Sequence, residues 1–339
     1  MTGRPGDDED AAARVMEMLG GKWMTQMVST AASLGIPDAL ADAPLGTDAL
    51  AEALGCHAPS LGRLLRAMAG GGLVEEDLDG RFALTALGAQ LRRGALGELA
   101  IFVGSDTQWR PWSALGETIR TGQPAFDRVH DRSLYEHLEA HPADAAIYDA
   151  AVDAFTRHQA RALAASYDFG AIGTLVDVGG GRGTLLVELL SRFEGLRGVL
   201  FDLPHVASAA RAHLADRGLA DRVRVVGGDF FEAVPEGADA YVLKHVLHNW
   251  DDAHATQILA RCADAMAPGG VVMVVESVVL PGNRPDATRL LDLEMLVLTH
   301  GGRERTKPEL RHLFHEAGLR LRQGLPLAEG VRLLVGARR

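Results

Sequence analysis

In VDVGGGRGTLL, Gly179, Gly181 and Gly183 stand directly after an apolar run and before a helical one. Glycine at such a junction lets the backbone approach a ligand with no side chain in the way. The spacing is GxGxG, with Thr184 where a dinucleotide fingerprint carries its third glycine, so other residues must define the ligand. Asp202, in GVLFDLP, follows Gly179 by 23 residues. An acid ending a strand there can accept hydrogen bonds from both ribose hydroxyls, while a helix cap is its plainer use. Asp229 and Phe230, in VVGGDFFEAVP, end a third strand, where the acid can take an adenine amino group and the ring can cover the base. His245 and His248 lie three apart and Asp251 follows, a spacing open to metal ligation but without a clear third and fourth ligand.

Positioning these residues requires a sheet. Short, non-alternating apolar runs at 174–178, 198–201, 223–226, 240–243 and 271–275 alternate with helical stretches at 185–193, 206–217, 253–266 and 307–317. That texture predicts a parallel sheet covered by helices on both faces. Runs at 319–322 and 331–336, separated by a short connection, suit an antiparallel hairpin closing the sheet. The candidate residues then fall at the carboxyl ends of strands, where open α/β sheets bind ligands.

The N-terminal third reads differently. A helical stretch from Ala11 to Leu34 is interrupted by Gly20–Gly21. A helix N-capped by Thr47 and ending near Gly55, a second from Ala58–Pro59 or Ser60 to Ala69, and strands at 73–75 and 81–84 predict a winged helix. Between Asp38 and Arg93 there are eight acids and five arginines, and four of the acids crowd the wing. A DNA reader presents a basic face, so this unit points to packing and subunit pairing instead. Residues 99–167 read as a helical connector whose Trp109, Trp112, Phe126, Tyr135, Phe155 and Tyr167 are candidates for an aromatic pocket, or plain core.

The whole chain, 339 residues with formal charge −11, supports two or three domains and disfavours binding along a phosphate backbone. Two distant cysteines, Cys56 and Cys262, exclude a disulfide scaffold and a zinc ribbon and fit a reducing cytoplasm. The acidic start MTGRPGDDED argues against a secretory signal, and no apolar run of about 18 residues spans a membrane.

LVDVGGGRGTLL, FDLPHV, GDFFEAVP, LKHVLHNWDD, VVESVVLP and GGRERT occur in this order across the chain. Together they resemble the S-adenosylmethionine-dependent O-methyltransferases of the plant caffeate/flavonoid type and their bacterial relatives in antibiotic tailoring. The resemblance implies a Rossmann-like class I methyltransferase sheet, mostly parallel with the last strand antiparallel. It implies a dimerisation domain at 1–98, a connector at 99–167 that contributes to the substrate pocket, and a cofactor-binding domain at 168–339. It implies a homodimer, S-adenosylmethionine turning into S-adenosylhomocysteine, no metal, and an aromatic hydroxylated substrate. His248 matches the family's general base, with Glu276, 28 residues on, and Glu304, another 28 on, orienting it. Surface pairing with Arg303 or Arg305 is the plainer use of Glu304. Gly179, Gly181, Asp202, Asp229, Phe230 and Lys244 match cofactor contacts; Trp112, Asp292 and Met295 are placed near the substrate. Asn249 departs from the Asp often found after the base. Carbon methylation, decarboxylation or hydroxylation on the same fold, and a winged-helix regulator, are the alternative readings.

Overall fold

A computed structural model describes residues 5–283, 285–327 and 330–339. The chain divides into two compact units, one of residues up to 109 with 143–154, the other of 110–142 with 155–339. The stretch read as a connector is thus shared between them.

In the first unit, one helix runs from Pro5 to Leu34 without a break at Gly20–Gly21. Two glycines cost about 2 kcal/mol of helix propensity. Good helix formers on both sides, and burial of Ser29, Ala31 and Ala32 near its C-terminal end, outweigh that cost. The helices Thr47–Leu54 and Ala58–Gly70 follow. Gly46, not Thr47, is the N-cap of the former, because Leu45–Gly46 is already a strand, β1, paired with a later one. β2 (Val74–Glu76) and β3 (Arg81–Leu84) form the wing, in the antiparallel order β1-β3-β2. Asp77 sets the wing's turn by accepting the backbone N–H groups of Asp79 and Arg81. Ile36, Leu50, Leu65, Met68 and Phe82 form this unit's core.

The second unit is built on β4 (Thr174–Val178), β5 (Arg197–Asp202), β6 (Val223–Gly227), β7 (Ala240–Lys244), β8 (Val271–Val279), β9 (Arg305–Thr306), β10 (Leu319–Pro326) and β11 (Val331–Arg338). The strand order is β10-β11-β8-β7-β4-β5-β6, with β9 alongside β8. Strands from β8 to β6 pair parallel, while β11 is antiparallel to both its neighbours. Two apolar clusters, one per face, include Tyr241, Leu259 and Phe314 on one side and Leu186, Leu200 and Met273 on the other. The chain leaves β4 for β5 on one side and later returns to β7 on the other. The carboxyl end of β4 is therefore the crevice where such sheets bind ligands. Among the described residues, no helix is long and apolar enough to cross a membrane.

Candidate active site

The glycine loop follows β4. Gly179, Gly181 and Gly183 all have positive φ, at 70°, 55° and 85°. A Cβ on Gly179 would lie 2.9 Å from Val246 Cγ2, so the loop sits directly against the turn that follows β7. Asp202 closes the other side: its Oδ2 accepts Gly181 N–H at 2.8 Å and its Oδ1 accepts Leu203 N–H at 2.7 Å. Burial raises the Asp202 carboxyl, and these two amides work against that rise. Asp229 lies two residues beyond β6, exposed, with Oδ1 on the Phe231 amide. Phe230 packs edge-on against Phe231 and Trp250, with ring centres 4.9 and 6.1 Å away.

β7 ends at Lys244, and a single 3-10 turn, Leu247–Asn249, carries His248. The backbone reaches that turn through His245, whose φ of 52° is rare for a residue with a side chain. Asn249 Nδ2 donates to the His245 carbonyl at 3.2 Å, a bond the expected Asp could not make. Glu276 Oε1 fixes the turn from β8 by accepting the amides of Leu247 (2.9 Å) and His248 (3.3 Å). The strand runs on to Val279, past the 271–275 run read from sequence and three residues beyond Glu276, because β9 and β11 pair with that extension.

Glu304 Oε1 lies 2.7 Å from His248 Nδ1, and both side chains are buried. The surface pairing weighed for Glu304 is absent: Arg303 binds Asp252 and Glu309, and Arg305 binds Asp252. Gly302 permits the approach, since a Cβ there would lie 2.2 Å from Thr299 Oγ1 and 2.6 Å from the His248 carbonyl. Arg303 N–H donates to that same carbonyl at 2.8 Å. Burial pushes the His248 imidazole down, but the Glu276 charge and the Glu304 hydrogen bond outweigh it, so its affinity for protons ends above the ordinary value of 6.5. Burial raises both glutamates, and His248 opposes that rise. With Nδ1–H committed to Glu304, Nε2 has no hydrogen-bond partner among the described residues.

His245 also reaches this cluster, its Nδ1 3.6 Å from Glu276 Oε2 and its Nε2 3.0 Å from Gln159 Oε1. His245, His248 and Glu276 bring ligand-type atoms within 4.8 Å of one another. Asp251, weighed as a third metal ligand, is instead the N-cap of helix Asp252–Ala265 and accepts His254 N–H. Lys244 Nζ donates to Thr156 Oγ1 at 3.1 Å and lies 5.4 Å from the Phe155 ring centre. Burial lowers it to about 8 despite Asp177 and Glu276 nearby. Asp177, two residues before the first glycine, is raised by burial to about 7, and its Oδ2 has no hydrogen-bond partner among the described residues.

The three residues placed near the substrate meet different neighbours. Asp292 Oδ1 accepts the Glu304 amide at 2.8 Å, so it holds the acid that holds His248. Met295 is buried on the same helix, Thr288–Leu298. The Trp112 indole N–H donates to Glu294 Oε2 on that helix. Of the other aromatics, Phe126 packs on His130 and His137, Tyr167 packs on Phe169, and Tyr135 is exposed. Phe155 approaches the cluster, 5.4 Å from the His245 ring. Glu294, Gln159 and Arg305 were not singled out from sequence. Arg305 is buried and ties the His248 turn by donating to the carbonyls of Leu247 (2.9 Å) and Trp250 (2.6 Å).

A sequence profile of an O-methyltransferase domain matches residues 112–320, and one of an O-methyltransferase dimerisation domain matches 16–93. The chain is 40% identical to a mitomycin biosynthesis 6-O-methyltransferase of Streptomyces lavendulae, over 99% of this chain and 97% of that protein. It is 39% identical to the phenazine O-methyltransferase PhzM of Lysobacter antibioticus, over 94% of each. The crystal structure of LaPhzM, 38% identical, superposes with a TM-score of 0.90 over 97% of this chain and 99% of that one.

Proposed function

We propose that this chain, which belongs to the O-methyltransferase family and takes its methyl group from S-adenosylmethionine, methylates a phenolic hydroxyl of a small aromatic natural product, with His248 as general base. The observation that carries this reading is the buried 2.7 Å bond between His248 Nδ1 and Glu304, which leaves Nε2 for the substrate proton. An imidazole with Nδ1–H fixed on a carboxylate presents the right tautomer and is stabilised once it becomes imidazolium. Glu276 holds the turn carrying the ring, and its charge favours the protonated product of the same step. The named relatives are a 6-O-methyltransferase of mitomycin biosynthesis and a phenazine O-methyltransferase, and this supports an aromatic acceptor here.

S-adenosylmethionine supplies a methyl group on a sulfonium, already activated for displacement by oxygen. The residues present fit it. The space beside Gly181 is open and the Asp202 carboxylate lies next to it, a setting suited to a ribose diol. Asp229 and Phe230 suit an adenine. The unpartnered, buried Asp177 Oδ2 suits an ammonium group of the amino-acid end, with Lys244 close by. Trp112 and Met295 would contact the acceptor, while Asp292 would act through Glu304.

The N-terminal unit would pair two copies. Its first helix leaves Val15, Met18, Leu19 and Trp23 exposed at 55%, 68%, 61% and 66%, an apolar run that a soluble monomer rarely presents. In this reading residues 1–98 dimerise, 99–167 help shape the acceptor site, and 168–339 hold the cofactor. The test is incubation with methyl-labelled S-adenosylmethionine and a panel of phenols, read by mass and by the position of the label. Methyl ethers are expected; label on ring carbon, or a hydroxylated or decarboxylated product, would overturn the phenolic assignment.

A further inference from the structure

We propose that Glu294 is a specificity determinant: one carboxylate oxygen is held by the Trp112 indole, and the other receives a hydrogen-bond donor, an amino or second hydroxyl group, carried by the aromatic acceptor. This rests on the reading above, because it takes the helix Thr288–Leu298 as a wall of the acceptor site. That helix is tied to the His248 cluster through Asp292 and the Glu304 amide.

In TRLLDLEMLVL, Glu294 stands directly before the buried Met295, with Val297 and Leu298 buried one turn on. A carboxyl group there is costly unless partnered, and burial raises Glu294 to about 7. Its one hydrogen-bond partner among the described residues is the Trp112 N–H, from a helix 182 residues earlier in the chain. An indole offers a single donor, whereas a carboxylate accepts at both oxygens. Oε1 is therefore left with unused capacity on a side chain that is only half-buried. Leucine would fill the same space more cheaply if packing were the only demand. A ligand donor satisfies the remaining oxygen, and a site built this way rejects the analogue lacking that donor.

The test compares matched phenols that differ by one substituent, an amino or hydroxyl group against its O-methylated or unsubstituted counterpart. Binding to the S-adenosylhomocysteine-loaded full chain is measured by calorimetry and turnover by mass. The wild-type protein should favour donor-bearing acceptors by about tenfold or more in both measurements. In Glu294→Gln, the amide oxygen can keep the Trp112 bond while the NH2 group faces the acceptor. The preference should then vanish or reverse, with cofactor affinity and melting temperature close to wild type. Trp112→Phe should weaken the preference without reversing it. Equal preference in wild type and Glu294→Gln would overturn the proposal. Discrimination in binding without methyl ethers in turnover would sustain Glu294 and sink the phenolic reading, while methyl ethers without discrimination would do the opposite.

Discussion

At the residue scale, the chemistry depends on which nitrogen of His248 is free. A base whose affinity for protons is raised is neutral only at higher pH. We therefore expect kcat/KM to climb with pH along a limb centred above 6.5, the ordinary imidazole value. Glu304→Gln keeps an acceptor for Nδ1–H but removes a charge that raises the ring. The limb should move to lower pH and kcat should fall about 100-fold; an unmoved limb would detach Glu304 from His248. Asp202→Ala should weaken S-adenosylmethionine binding by about tenfold or more in calorimetry, and unchanged affinity would remove Asp202 from the cofactor site. His248, Glu276 and Asp202 could be singled out as candidates from sequence because each stands in a local motif. Asp292 and Glu294 were not understood in the same way, since their partners lie 12 and 182 residues away and no local spacing encodes such bonds.

At the element scale, one short turn after β7 carries the base, and three other elements hold it. Glu276 reaches it from β8, Arg303 and Glu304 from the loop before β9, and Arg305 from β9 itself. Replacing Arg305 by Met takes the guanidinium donor from the Trp250 carbonyl and leaves the Leu247 carbonyl only the Trp250 N–H at 3.2 Å. The expected cost is about 2–3 kcal/mol in denaturant unfolding, with a lower kcat and little change in cofactor affinity; a variant of wild-type stability and rate would show that Arg305 does not brace the turn. The sheet was readable because buried parallel strands are unbroken apolar runs bounded by glycines and helices. β1 and β9 were missed because two residues carry no period, and the ends of β8 and β10 were underestimated because edge pairing, not composition, extends them. The unbroken first helix defied its two glycines, because tertiary burial at its far end overrides a local propensity.

At the scale of the whole molecule, an acidic winged helix and an exposed apolar helix favour pairing of subunits over contact with DNA. Met18→Asp combined with Trp23→Asp should halve the mass found by light scattering, and a mass unchanged from wild type would place the subunit contact elsewhere. Random duplex DNA at low salt should not be retained in a gel shift, and clear retention would revive a regulatory role. Proton removal by His248 unites the sheet, the turn and the cofactor crevice, and His248→Ala tests it most directly, with single-turnover methyl transfer and S-adenosylmethionine affinity measured on the same preparation. The transfer rate should fall by about 100- to 10,000-fold while affinity stays within about twofold. Transfer at the wild-type rate by that variant would contradict the assignment of His248 as the base.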